Sequence, residues 1–253
     1  MIVLRSALFN LVGVAWTLCF TVIFLPFLLC PPRTVRFVVG FWANVTARLL
    51  ALTVGLEVEV RGRENIPEEP AIFASKHQST WDTFVFHCIT RKAVYVVKRE
   101  LFLIPFYGWF VRGAGSIGID REGGAAALKQ MVRAVAAALA GGCSVVVFPE
   151  GTRTAPGQRT AYHPGIAALY SRLDAPMVPV ALNSGLYWGR RSFVKQPGRM
   201  VVEFLPPIPR GLGRAEFMAE LADRIEGASA ALAADPLVEQ SVDNPGGICG
   251  KPL

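Results

Sequence analysis

The hydrophobic pattern divides the chain into an apolar N-terminal part and a longer part of mixed character. From Ser6 to Pro32 no side chain is charged, and a run of this length matches the roughly 20 residues that cross a bilayer. A second apolar stretch, FVVGFWANVTARLLALTVGL, is interrupted by Arg48, so its longest uncharged piece is too short to span unaided. We therefore predict a helical hairpin in residues 1–54 that anchors the chain to a membrane. The alternative is a buried apolar subdomain of a soluble protein.

After Gly55, short β-branched runs alternate with helical stretches, which is typical of an α/β fold. We predict one α/β domain over residues 55–234, with a mixed, mostly parallel sheet flanked by helices, and a disordered tail over residues 235–253. The clearest helices are GGAAALKQMVRAVAAALAGG and RAEFMAELADRIEGASAALAA. The predicted strands are LEVEVRG, AIFAS, AVYVVK, SIGID, SVVVFP, MVPVAL and RMVVEFL.

Composition adds a membrane and an anionic partner to this picture. Of the 253 residues 52% are hydrophobic and only 18% charged, against the roughly 25% charged of soluble domains. The net charge of +7 favours anionic partners such as phospholipid head groups or phosphorylated small molecules. Nucleic acid is not expected, because the basic residues are dispersed and no nucleic-acid-binding motif accompanies them. Arg33 and Arg36 beside the hairpin turn favour the cytoplasmic face.

The five cysteines include no C-x-x-C pair. Their odd number and wide spacing argue against a disulfide framework or a metal site, and suit a reducing compartment.

The stretch SKHQSTWDT places His77 five residues before Asp82. On one helix this spacing would separate the two side chains by about 140°, so they meet only if His77 lies in the turn before the helix that carries Asp82. We expect that helix to start near Ser79 or Thr80, either of which can cap it. A carboxylate on Nδ1 would leave Nε2 free as a general base. Spacing alone equally allows a satisfied polar histidine at a strand end.

Three further predicted strands end in residues that suit an anion. FPEGTRT follows the strand SVVV and contains Gly151, which permits close backbone approach, and Arg153, whose guanidinium suits phosphate. Lys98 ends AVYVVK, and Arg121 follows SIGID. These cations are candidates for lining one anion pocket. An internal pair between Glu150 and Arg153 in a purely structural turn is the alternative.

Two other motifs fail in their context. GAGSIG satisfies G-x-G-x-x-G, but it precedes a strand instead of linking a strand to a helix, which excludes a dinucleotide site. The same segment nearly matches G-x-S-x-G around Ser116 without a strand-to-helix elbow, so a serine hydrolase fits poorly. A metal site from His77, Asp82 and Glu150 lacks clustered partners.

Taken together and in order, these motifs resemble those of the glycerolipid acyltransferase family, to which the lysophosphatidic acid acyltransferases belong. KHQSTWD is similar to the family's H-x-x-x-x-D block, VKRELFLIPFYGWFVRGAGSIGIDR to its second block, FPEGTR to its third and VPVALNSG to its fourth. The resemblance covers roughly Gly55 to Leu205. Two positions depart from it: Lys76 stands where the family often has Asn, and Gly118 where it often has a bulkier apolar residue.

The resemblance implies transfer of an acyl group from acyl-CoA or acyl carrier protein to the sn-2 hydroxyl of lysophosphatidic acid, without a cofactor. It implies that His77 is the general base and that Asp82 orients it. It assigns the acceptor site to a further set: Lys98, Arg121, Glu150, Gly151, Thr152 and Arg153. The alternatives are the same chemistry on another lyso-lipid such as lyso-ornithine lipid, a non-catalytic lipid-binding protein, and a lipase or thioesterase.

Overall fold

The computed structural model describes residues 1–90 and 92–235; the predicted tail from residue 236 onward lies outside them. The chain begins with a helical hairpin. Helix α1 (Ile2–Phe24) continues into a short 3-10 segment (Leu25–Leu29), and α2 (Pro32–Val54) returns beside it. On length and composition alone both are long and apolar enough to cross a membrane, α2 included, although the interruption at Arg48 led us to expect it to be too short.

Aromatic side chains of both hairpin helices pack against the remainder of the described chain. On α2, the Trp42 ring lies 5.2 Å from that of Phe84 in the α/β part. On α1, Phe9 packs edge-on against Trp188 at 5.7 Å. The outer face of α1 exposes large apolar side chains, among them Leu4, Leu11 and Val22.

In the described residues the α/β part is built on a seven-stranded sheet of order β1-β7-β6-β2-β5-β3-β4. Five of its six pairings are parallel and β6 with β7 is antiparallel, as the mixed, mostly parallel prediction requires. The strands are β1 (Leu56–Arg61), β2 (Ile72–Ser75), β3 (Ala93–Lys98), β4 (Ile117–Ile119), β5 (Ser144–Val147), β6 (Met177–Leu182) and β7 (Gly198–Phe204).

Helices cover both faces of the sheet, so its strands are buried as continuous apolar runs. Side chains alternate between the faces: Phe73 lies in the core beneath the hairpin, and Ile72 in the core on the other side. The helices are α3 (Asp82–Ile89), α4 (Tyr107–Gly113), α5 (Gly124–Ala140), α6 (Gly165–Arg172), α7 (Ser184–Tyr187) and α8 (Arg214–Ala234).

One predicted boundary was wrong. Helix α3 starts at Asp82, not near Ser79 or Thr80, and no side chain caps it. The physical reason is that the Asp82 carboxylate accepts the backbone N–H groups of Gln78 and Ser79 at 2.7 and 2.8 Å. These bonds fold residues 78–81 into a turn that precedes the helix.

Candidate active site

The polar candidates converge because strands β2, β5, β3 and β4 are adjacent and parallel. Their carboxyl ends therefore meet at one edge of the sheet, where open α/β folds bind ligands. His77 follows β2, the FPEGTRT segment follows β5, Lys98 ends β3, and Arg121 follows β4. These residues are brought together by the order of the strands in the sheet, which differs from their order along the chain.

His77 and Asp82 are in contact. His77 Nδ1 lies 3.1 Å from Asp82 Oδ2, with His77 in the turn and Asp82 at the first position of α3. The imidazole stacks on Phe148, with the ring centroids 4.0 Å apart. Within the described residues Nε2 has no hydrogen-bond partner. One ring nitrogen is thus held by a carboxylate while the other is free for a ligand.

Asp82 is held in one orientation by donors on both carboxylate oxygens. Oδ2 accepts the Gln78 and Ser79 amides in addition to its contact with His77. Oδ1 accepts the hydroxyl of Ser184 at 2.6 Å, and both side chains are fully buried. Ser184 begins α7 directly after β6, so a fifth strand end contributes to the site. Sequence reasoning missed Ser184, although it lies within the VPVALNSG block.

The Glu150 side chain is packed behind the His77 turn. Its side chain is completely buried, where Oε2 accepts the backbone N–H of His77 at 2.8 Å and Oε1 pairs with Lys76 Nζ at 2.6 Å. Lys76 also pairs with Glu226 of α8, at 2.7 and 2.9 Å to its two oxygens. Glu150 therefore supports the His77 backbone from behind, and its partner is Lys76 instead of the Arg153 considered from the sequence.

The backbone of His77 is fixed at its other end as well. Its carbonyl accepts the backbone N–H of Thr154 at 2.9 Å, and the Thr154 hydroxyl donates to Glu150 at 2.8 Å. The FPEGTRT segment is thus bonded to both sides of the His77 peptide. A displacement of this segment would displace the imidazole.

Two of the three predicted cations line one cavity, and the third bonds to a residue of its lining. Lys98 and Arg121 line it, and Arg121 donates to the Gly151 carbonyl. Arg153 donates to the hydroxyl of Thr80, which also lines the cavity. Thr152 is exposed and does not line it. Of the six residues predicted for the acceptor site, Lys98, Arg121 and Gly151 therefore line the cavity, whereas Glu150, Thr152 and Arg153 do not.

The cavity has a volume of about 940 Å³ and a largely apolar lining. It extends from His77 towards α1, where Phe9 and Leu18 line it, and towards α5, where Leu128 and Met131 line it. A volume of this size holds a ligand of drug size or larger. An apolar chamber with cations at one place and a histidine between its ends suits an amphiphile with an anionic head.

A histidine in the lining has a nitrogen without a hydrogen-bond partner among the described residues. His87 Nδ1 is buried and makes no hydrogen bond in the described part of the chain. Burial lowers the pKa of His87 to about 4, and the positive charge of Arg36 acts in the same direction. The imidazole is therefore neutral near pH 7.

Known proteins are similar to this chain in the part that contains the site. The family model described as Acyltransferase matches residues 57–183. A 1-acyl-sn-glycerol-3-phosphate acyltransferase from Pseudomonas aeruginosa is 37% identical over 211 residues, which are 83% of this chain and 82% of that protein. A protein of the same name from Saccharomyces cerevisiae is 30% identical over 189 residues, covering 72% of this chain and 62% of the yeast protein.

The fold is shared with a solved structure. The crystal structure of the 1-acyl-sn-glycerophosphate (LPA) acyltransferase from Thermotoga maritima matches with a TM-score of 0.72 over 92% of this chain and 97% of that one. The two sequences are 20% identical, so this likeness speaks for the fold alone.

Proposed function

The chain belongs to the acyltransferase family, and from that premise we propose that it transfers a fatty acyl group from acyl-CoA or acyl carrier protein to the sn-2 hydroxyl of lysophosphatidic acid, giving phosphatidic acid. The observation that carries the proposal is the His77–Asp82 contact, 3.1 Å long, at one cavity with Lys98 and Arg121. Curated relatives named for this reaction cover most of the chain.

In the proposed reaction His77 acts as general base. Nε2 takes the proton of the sn-2 hydroxyl as that oxygen attacks the thioester carbonyl. The carbon–sulfur bond then breaks, and the thiolate leaves with the proton carried by the imidazolium. Asp82 holds Nδ1 so that Nε2 stays aimed at the hydroxyl, and it stabilises the imidazolium that forms. No metal or cofactor enters these steps.

The acceptor phosphate is assigned to the cations around the cavity. Arg121 and Arg153 present guanidinium groups suited to phosphate oxygens, and Lys98 adds a third positive charge. The bonds of these two arginines to Gly151 and Thr80 hold them beside the turn that carries His77. A phosphate bound there would bring the sn-2 hydroxyl, only a few bonds away, to the imidazole.

Both substrates carry acyl chains, for which we propose the apolar cavity and the membrane. Residues 1–54 act in this proposal as the membrane anchor of the α/β domain of residues 55–234. The exposed apolar face of α1 supports this assignment. Arg33 and Arg36 favour the cytoplasmic face for the catalytic part.

The test compares purified wild type in detergent with His77→Ala and Asp82→Asn, using labelled acyl-CoA or acyl carrier protein with lysophosphatidic acid. Loss of the base should lower kcat by roughly 10²–10⁴-fold. Asp223→Asn, an exposed aspartate on α8, is the matched control and should retain the wild-type rate. Full phosphatidic acid synthesis by His77→Ala would overturn the mechanism.

The second candidate acceptor is a lyso-lipid without a terminal phosphate, such as lyso-ornithine lipid. The cations at the cavity favour the phosphate. Arg153→Ala should therefore raise KM for lysophosphatidic acid strongly. Unchanged turnover in that variant, together with transfer to lyso-ornithine lipid by the wild type, would favour the second candidate.

A further inference from the structure

A second exposed apolar surface lies beside the cavity, outside the hairpin. Besides Tyr107, which is 43% exposed and ends in a hydroxyl, four large side chains within residues 103–109 are solvent-exposed: Leu103 by 80%, Ile104 by 45%, Phe106 by 45% and Trp109 by 44%. We call these four residues the lip. Single exposed apolar side chains are ordinary on a protein surface, but a contiguous group of them marks a contact with a partner or a membrane.

The backbone holds the lip in an unfavourable conformation. Phe106 has φ 64° and ψ −63°, and the N–H of Tyr107 donates to the Pro105 carbonyl at 2.7 Å. This is the three-residue γ-turn that bulky residues seldom adopt. The next residue, Gly108, lies so close to the Leu101 and Phe102 carbonyls that any side chain there would collide with them. The turn is therefore fixed in place by the packing behind it.

The same segment forms part of the cavity wall. Leu101, Pro105, Phe106 and Tyr107 line the cavity, whereas Leu103, Ile104 and Trp109 do not. The segment is thus a thin partition with the apolar cavity on one side and exposed apolar side chains on the other. An acyl chain crossing it would meet apolar surface throughout.

Helix α4 connects the lip to the tip of the hairpin. The Phe110 ring of α4 lies 5.4 Å from that of Phe20 in α1. Gly113, at the end of α4, packs closely against Leu28. Next to Leu28, Leu29 is 92% exposed. Packed apolar side chains of α4 therefore join the lip to the hairpin tip.

Exposed cations accompany the lip. Arg99 precedes it, Arg112 follows it, and Arg33 lies at the hairpin tip. Within the described ranges none of the three forms an ion pair. Trp109 and Arg112 are three residues apart on α4 and so share a face of the helix. Tryptophan beside arginine is the composition of a membrane interface, where the ring lies at head-group level and the cation meets anionic lipid.

We propose that the lip is a second membrane-contact surface, which inserts beside the hairpin tip into an anionic lipid surface and passes acyl chains between that surface and the cavity. This inference rests on the proposed function. An acidic acyl carrier protein would also meet Arg99 and Arg112, but it would leave the four apolar side chains without a partner. The membrane accounts for the apolar and the cationic parts together.

The test measures initial rates of the double variant that combines Leu103→Glu with Trp109→Glu, using two forms of the substrates. One is long-chain lysophosphatidic acid in vesicles containing about a third phosphatidylglycerol, and the other is short-chain, water-soluble lysophosphatidic acid with a short-chain acyl-CoA. We expect kcat/KM on vesicles to fall at least about tenfold, with the soluble reaction within about twofold of wild type. Leu186→Glu, an exposed leucine on α7, is the matched control and should lose neither rate.

The outcomes separate this inference from the proposed function. Equal losses in both assays would show that the lip merely supports the fold, and no loss on vesicles would show that it does not touch the membrane; either result overturns the proposal. A wild type inactive in both assays would instead overturn the proposed function.

The contribution of the cations is tested with the double variant that combines Arg99→Glu with Arg112→Glu. A loss on anionic vesicles with acyl-CoA supports the membrane, whereas a loss only with acyl carrier protein overturns it in favour of carrier docking.

Discussion

Lys76→Met is the substitution that we expect to be most damaging among residues that do not line the cavity. Lys76 is 1% exposed and is bonded to the carboxylates of Glu150 and Glu226. Without it, two buried carboxylates would face each other with no cation between them. The hydroxyls of Tyr162 and Thr154 donate to them but supply no compensating charge.

The size of the effect follows from the burial of the pair. Removing one partner of a buried ion pair costs about 3–5 kcal/mol, since it leaves an uncompensated charge. For a chain of this size each kcal/mol lowers Tm by about 2–4 °C, so Tm should fall by roughly 6–20 °C. Because Glu150 also accepts the His77 N–H at 2.8 Å, we expect kcat to fall further than thermal unfolding explains.

The assay combines thermal unfolding, followed by circular dichroism in detergent, with acyl transfer measured well below the variant's Tm. Lys129→Met is the matched control, since Lys129 is an exposed lysine on α5, and its stability should stay within about 0.5 kcal/mol of wild type. The double variant that combines Lys76→Met with Glu226→Met should recover part of the lost Tm, because it removes one of the two uncompensated carboxylate charges. A Tm for Lys76→Met equal to that of the Lys129→Met control would refute this reasoning.

Three further predictions concern other buried contacts. Ser184→Ala removes a donor to the Asp82 carboxylate, so kcat should fall about tenfold with KM unchanged; a change in Tm alone would contradict this. In the folded chain the pKa of His87 is about 4, below the ordinary 6.5. The contribution of the neutral His87 imidazole to the free energy of unfolding is therefore fully present above about pH 6.5 and is lost as the pH falls towards 4. Urea unfolding at pH 7 and pH 4.5 should show a loss of about 2–3 kcal/mol that is missing from His87→Phe. Gly118→Leu should destabilise the chain by about 1–3 kcal/mol, because the new side chain meets the Phe102 ring; if Phe102→Ala in the same chain does not restore Tm, that contact is not the cause.

The hairpin and most strands and helices were predictable because their signals are local. The uncharged run after Ser6 and the β-branched runs predict their own elements, and α8 has the bounds of the apolar-periodic segment from which it was predicted. The start of α3 was not predictable, because Ser79 and Thr80 are good capping residues that the Asp82 carboxylate overrides.

The sequence by itself determined the two-part organisation of the chain and the His77 and Asp82 block, since both depend on residues close together in the chain. Only the tertiary structure decided what surrounds that block. Ser184 reaches Asp82 across 102 residues, and Glu226 reaches Lys76 across 150. Such contacts depend on strand order and helix docking, which no local pattern encodes. The same long-range packing buried Glu150 against Lys76, outside the cavity lining, and left the lip exposed.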